Sequence, residues 1–309
     1  MSDFSNPIFH NETKARKWLE ARIWPDGPIC PHCGVIGEAT LMKGNSHRPG
    51  LYQCNACRAP FTVTVGTLYE RSKVPLHKWL AATHFMMASK KGMSALQIGR
   101  MLGLSKKTAW FVCHRIRESL RDSKFDEPLG GKNKIVEADE TYVGGKARNR
   151  KGRIPPKEAV FALVEREGRV RSFHVQAVSA KTLRRILFTT ASRESYLMTD
   201  EATTYTSTGR GFAGHGTVNH SIQEYVRGGF WHTNTVENYF SILKRGITGV
   251  YHHVSQQHLK RYLAEYDFRY NEREALGVSD AERMAKAIPG IVGKRLTYRR
   301  ADLRTNIQA

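Results

Sequence analysis

Four of the chain's five cysteines fall in two tight pairs, Cys30-Pro-His-Cys33 and Cys54-Asn-Ala-Cys57, with 20 residues between them. No other feature restricts the local fold so strongly. A C-x-x-C pair puts two thiolates on one turn, and two such turns complete a tetrahedron around zinc. Cys30, Cys33, Cys54 and Cys57 are therefore expected to hold a structural Zn²⁺, since four thiolates leave no coordination position open for chemistry. The stretch between the pairs is short, polar and Gly-containing, and YQC and FTVTVG alternate as hairpin strands do. A zinc ribbon is expected within residues 1–70, after a short amphipathic helix over 8–23 with Asn11 as its N-cap. His32 reads as a turn residue facing solvent, and Cys113 as a core residue of a later helix.

The charge balance says what such a ribbon would meet. With 49 Lys and Arg against 28 Asp and Glu, the 309 residues carry a formal charge of +21. An excess of that size calls for a polyanion, and nucleic acid is a commoner one than an anionic membrane surface. No apolar run reaches the roughly 18 residues of a membrane span. The start of the chain, MSDFSNPIFHNETK, lacks a basic region followed by an apolar one, so no secretory signal is read there. The expectation is a cytoplasmic chain with reduced cysteines.

Residues 71–125 read as three helices. Pro75 opens the first, PLHKWLAATHFMMASKK, which Gly92 ends; Ser94 caps the second, which stops at Gly103. Ser105 then caps a longer helix with Ala109, Val112, Ile116 and Leu120 as its apolar seam. A short helix, the turn L-G-L-S and a second helix opening S-K-K-T form a helix-turn-helix pattern, which alone also fits a plain helical hairpin. Beside a ribbon and in so basic a chain, the pattern predicts DNA binding, with Lys106, Lys107 and Thr108 at the helix start that meets bases and phosphates.

The segment SKFDEPLGGKNK (123–134) combines charge, proline and a glycine pair and marks a domain boundary. Directly after it, IVEADETYVGG (135–145) is an apolar strand running into two carboxylates, Asp139 and Glu140. A carboxylate at an interior strand position is costly unless its charge is compensated, and a bound cation is the usual means. The basic stretch 144–157 follows, with Lys146, Arg148, Arg150, Lys151 and Arg153 expected to contact phosphates. Two strands with a turn near Gly168 come next, then a helix, and then SYLMTDEATTY, where an apolar strand again ends in an aspartate, Asp200. HSIQEYVRGG reads as a further strand and TNTVENYFSILKRGI as a helix. Three strands, helix, strand, helix predicts an RNase H-like α/β domain over 126–276. Glu237 lies in the last helix, with 36 residues between it and Asp200, and Lys244 falls on the same helical face. Asn234-x-x-Glu237 also fits a capping box, in which the glutamate would serve only the helix.

The ordered set of motifs resembles the DDE transposases of bacterial insertion sequences, specifically the ISXO-type family (insertion sequence fifteen-ninety-five). The residues that carry the resemblance are CPHCG and CNAC, VEADETYVGG, LMTDEATTY, VNHS, HTNTVENYFSILKRGITGVYHH, HLKRYLAEYDFRYNERE and GKRLTYR. It covers the chain from the ribbon to near the C-terminus. It implies an acidic triad of Asp139, Asp200 and Glu237 holding Mg²⁺ or Mn²⁺, followed by Lys244 as the basic residue, with Arg245 beside it on DNA. It further implies binding to terminal inverted repeats, cleavage at the element ends and transfer of the 3′-hydroxyl to target DNA by at least a dimer. Glu140 and Glu201, the neighbours of the two aspartates, face away on a strand and are expected to support the site or be solvated. His232, just before the Glu237 helix, is read as lying near the site, and His220 as structural.

Residues 255–276 predict a helix with an aromatic core stripe. Arg261, Arg269 and Arg273 are placed on or near its polar side, and 277–309 is a basic tail that begins as a short helix. Two other readings share parts of this pattern. A zinc-ribbon regulator needs only the first 122 residues and leaves the spaced carboxylates unexplained, whereas an RNase H-type nuclease without strand transfer shares the triad.

Overall fold

The computed structural model describes residues 4–121, 127–144, 157–218 and 232–297. Lys146, Arg148, Arg150, Lys151 and Arg153, and the expected HSIQEYVRGG strand with His220, lie outside the described residues. The chain divides into two compact units, one of residues 1–89, 93–121 and 278–309, the other of 90–92 and 122–277.

The first unit opens with α1 (Glu12–Ile23), whose first turn is capped by Asn11 accepting from the Lys14 N–H at 3.0 Å. Three short antiparallel strands, β1 (Ala39–Leu41), β2 (Tyr52–Cys54) and β3 (Pro60–Phe61), form the ribbon, with Ala39 paired to Cys54 and Tyr52 to Phe61. So small a sheet has little core of its own. Trp24, Tyr52 and Phe61 supply one by packing their rings together, alongside the cysteine cluster. Helices α2 (Leu76–Ala88), α3 (Ala95–Leu102) and α4 (Lys106–Ser119) follow. Ser94 and Ser105 cap α3 and α4 as expected, and Gly103 ends α3 with φ 61°, a left-handed conformation that glycine adopts without cost. Ala109, Val112, Cys113, Ile116 and Leu120 are all buried.

The second unit is built on a mixed sheet of β4 (Ile135–Gly144), β5 (Lys157–Glu165), β6 (Val170–Val175), β7 (Tyr196–Asp200) and β8 (Gly214–Val218), with α5 (Ala180–Thr190) between β6 and β7 and α6 (Thr203–Gly209) between β7 and β8. Spatial order is β6-β5-β4-β7-β8; the first three strands are antiparallel, and β7 and β8 run parallel to β4. This is the RNase H-like sheet, with two elements more than the sequence pattern predicted, α6 and β8. Helices α7 (Asn234–Gly246) and α8 (Gln256–Asn271) complete the unit.

Strand alternation sorts the sheet's residues into two cores. Val136, Ala138, Phe161, Leu163 and Leu197 face α5 and α6, burying Leu183, Leu187 and Tyr205. Val143, Val160, Ala162 and Val164 face α7 and α8, burying Val236, Tyr239, Leu243, Leu259, Leu263 and Tyr266. The aromatic stripe of α8 is thus core. Arg269 is also buried there, ion-paired with the fully buried Glu265, rather than on a polar side.

From Val278 the chain belongs to the first unit again. Helix α9 (Asp280–Ala287) starts in a full capping box of Ser279 and Glu282. The Arg283 guanidinium donates to the Met87 carbonyl at 2.9 Å, and the Leu68 N–H to the Ile291 carbonyl at 3.0 Å. Lys294 donates to the carbonyls of Ser119 and Arg121 at 3.1 and 2.6 Å, satisfying acceptors left open where α4 ends. Residues 278–297 therefore fold with the ribbon and the helices, where the sequence pattern had set them apart as a tail. No helix among the described residues is long and apolar enough to cross a membrane.

Candidate active site

In the first unit the four cysteine sulfurs all lie within 4.8 Å of one another. Cys30 Sγ is 3.7 Å from Cys57 Sγ, and Cys33 Sγ 3.6 Å from Cys54 Sγ. Zinc–sulfur bonds of about 2.3 Å in a tetrahedron set sulfur–sulfur edges of about 3.8 Å. The four thiols fit that ion in number, chemistry and spacing. His32 is exposed on the knuckle. Lys106 and Lys107 stand exposed in the first turn of α4, while the Thr108 hydroxyl lies 2.9 Å from that of the capping Ser105.

In the second unit the site follows from strand parity and register. β4 and β7 pair in parallel with Ile135 beside Tyr196, Val136 beside Leu197 and Glu137 beside Met198. Carried two residues further, the same register sets Asp139 level with Asp200. Both side chains fall on the sheet face that α7 covers, because Val136, Ala138 and Leu197 take the opposite face. Two aspartates from separate stretches thus meet on neighbouring strands, Asp200 at the end of β7 and Asp139 in the middle of β4, which runs on to Gly144 rather than ending at the aspartate. Asp139 Oδ1 accepts from the Glu140 N–H at 2.7 Å, and Asp200 Oδ1 from the Ala202 N–H at 3.2 Å.

Glu237 comes from the first turn of α7 and is exposed. The capping box that Asn234 could have formed with it is absent. Thr233 is the N-cap, and its hydroxyl donates to Glu237 Oε1 at 3.0 Å, so the glutamate is oriented by the cap rather than spent on it. Lys244, seven residues on, and Arg245 are exposed in the last turn of α7, where cations are favoured, and Arg245 donates to the Ser241 hydroxyl at 3.1 Å.

The electrostatics mark these acids as one cluster. Burial first, and then the negative charges of Glu140, Asp200 and Glu237, outweigh the stabilising Glu140 N–H and push the Asp139 carboxyl up to about 7. An all-carboxylate donor set suits a hard divalent cation. The fit differs in kind from that of the cysteines: the acids are within electrostatic reach of one another, not gathered into one tight shell.

Glu140 points the other way, as strand parity requires, but it is not simply solvated. It is half-buried and accepts a hydrogen bond from the Tyr205 hydroxyl of α6, and burial followed by the charge of Asp200 raises its carboxyl. Glu201 is exposed.

A buried acid beside this site escaped the sequence reading. Glu137, two residues before Asp139 on the same face, is fully buried and accepts from the backbone N–H groups of Thr235 and Val236 at 2.8 and 3.0 Å. It also accepts from the Thr235 hydroxyl at 2.9 Å and from Arg166 Nε at 2.6 Å. His232 turns to this carboxylate too, with Nδ1 3.3 Å from Oε1. The available signal was an acid between Val136 and Ala138, in a strand otherwise buried where it sits.

Residues 128–271 match the family described as the ISXO2-like transposase domain, and residues 10–60 match the transposase zinc-ribbon domain. A protein of Halobacterium salinarum, described as an uncharacterized protein in transposable element ISH50, is 29% identical over 288 residues, 84% of this chain and 91% of its own length. Among solved structures, a chain of a pre-cleavage Mos1 transpososome aligns over 68% of this chain and 74% of its own, with 11% identity and a TM-score of 0.29. A chain of a Mos1 transposase paired-end complex with the left transposon end covers the same shares, with 12% identity and a TM-score of 0.27. Likeness of that size adds nothing to the fold, which rests on the strand order itself. The two domain matches stand in order along one chain, a transposase zinc-ribbon domain ahead of an ISXO2-like transposase domain, and make it a transposase of an insertion element.

Proposed function

We propose that this transposase binds the terminal inverted repeats of its element, cleaves a phosphodiester at each end and transfers the freed 3′-hydroxyl to target DNA. The observation that carries the reading is the shared register of Asp139 and Asp200 on parallel strands, with Glu237 within electrostatic reach. Asp139, Asp200 and Glu237 would hold Mg²⁺ or Mn²⁺, which when bound activates the attacking oxygen and stabilises the leaving one. The residues themselves supply the oxygen donors and a half-buried site that strengthens their hold on a cation. Lys244 would neutralise a phosphate oxygen next to the scissile bond, and Arg245 a neighbouring one. Lys106, Lys107 and Thr108 would place α4 on the duplex, and Lys146, Arg148, Arg150, Lys151 and Arg153 would hold phosphates near the cleavage point. Water attacks the element-end phosphodiester and the 3′-hydroxyl leaves; that hydroxyl then attacks a target phosphodiester and displaces a second 3′-hydroxyl. No covalent protein–DNA intermediate is needed. Two ends must be held together, so the working form would be at least a dimer.

The test is an oligonucleotide carrying one element end, incubated with Mg²⁺ and supercoiled target. The unaltered chain cleaves and joins it, and Asp139→Ala does neither. Cleavage and joining that survive Asp139→Ala overturn the assigned site, and cleavage without joining by the unaltered chain leaves a nuclease.

A further inference from the structure

Glu137 is an expensive residue in its place. It has no exposed surface, and a buried carboxylate is tolerated only when donors replace the water it has lost. Its donors come from two places. The Thr235 and Val236 N–H groups and the Thr235 hydroxyl belong to the entry of α7, whereas Arg166 belongs to the turn between β5 and β6. Arg166 ties the two together, since its Nη2 also donates to the His232 carbonyl, at 2.8 Å, just ahead of the helix.

The N-cap residue of α7, Thr233, makes no side-chain cap bond of its own. A strand residue of the catalytic sheet therefore does the capping, with its carboxylate oxygens at the positive end of the helix. Glu137 shares a strand face with Asp139, and Glu237 follows Val236 directly. One carboxylate thus fixes both the register and the axial position of the helix that presents Glu237, measured from the strand that presents Asp139. A shift of α7 in either direction would strip donors from a buried charge.

We propose that Glu137 is a positioning residue of the active site: it holds α7 so that the Glu237 carboxylate is kept on the ion shared with Asp139. This rests on Glu237 being a metal ligand. The probe is Mn²⁺ alone, titrated into the full-length, zinc-loaded chain below its melting temperature and followed by the electron paramagnetic resonance signal of free Mn²⁺. Glu137→Gln is expected to weaken Mn²⁺ binding by about tenfold or more, the loss seen when a group that orients a metal ligand is removed. Because Glu137 acts through Glu237, the double variant Glu137→Gln/Glu237→Gln binds Mn²⁺ no more weakly than Glu237→Gln alone. Thr235→Val keeps both backbone bonds to Glu137, loses one donor and gives a smaller change in the same direction; it is the variant to read should Glu137→Gln fail to fold. Undiminished Mn²⁺ binding by Glu137→Gln and Thr235→Val, while Glu237→Gln loses it, overturns the proposal and leaves a plain helix cap. An additive loss in the double variant overturns it as well. Undiminished Mn²⁺ binding by Glu237→Gln itself removes the ligand reading on which the positioning role stands.

Discussion

Glu137 and Asp139 lie two positions apart on one face of one strand, and their surroundings give them different work. Glu137 has two donors on each carboxylate oxygen and serves inside the protein as an anchor. Asp139 has one backbone donor and three acidic neighbours, and its carboxyl is pushed up to about 7 by burial and by those charges. The sequence displayed Asp139 because an apolar run leads into an aspartate in the same way at Asp200. Glu137 had no such echo: its partners, Thr235 and Val236, lie about a hundred positions away, and only the fold brings them to it. Asp267 is a third case, bonded to the Ser172 N–H and hydroxyl and to the Tyr239 hydroxyl. Burial raises its carboxyl from 3.8 to about 6 although these donors pull it down. The folded chain therefore keeps a proton that the unfolded chain has released, so stability falls as pH rises through that window and levels off above it. Asp267→Asn should flatten this slope, seen as urea midpoints that change less between about pH 4 and about pH 7 than those of the unaltered chain.

Elements were legible where their signal is local. The caps Asn11, Ser94 and Ser105 stand where the pattern set them, since a cap is decided by four neighbouring residues. Ser105→Ala should cost about 1 kcal/mol, read as a lower denaturation midpoint of the chain. β8 was not legible: GHGTV offers two glycines and no apolar run, and its strand form comes from backbone pairing with β7. The entry of α7 was half legible. Asn234 and Glu237 have the spacing of a capping box, but Glu137 supplies the capping oxygen from the sheet, leaving Glu237 outward. The return of 278–297 could not be read either, because its partners Met87, Ser119 and Leu68 are remote in sequence.

At the scale of the chain, the ribbon and the sheet give the two metals proposed for it different standing. The cysteine sulfurs already sit at zinc spacing, so the zinc belongs to the fold. Cys54→Ser should lower the zinc content, measured by plasma emission, from about one ion per chain to near zero, and with it the pairing of β1 and β2. The carboxylates lie within electrostatic reach of one another, and in the proposed function a divalent cation would join them. The most direct measurement is the rate of element-end cleavage in Mg²⁺ by Asp139→Asn, Asp200→Asn and Glu237→Gln, with Glu201→Gln as the exposed control. Each of the first three should lose on the order of 1,000-fold or more, while the control stays within about tenfold. Cleavage at the unaltered rate by any one of the three, or equal damage from Glu201→Gln, would contradict the three-carboxylate site.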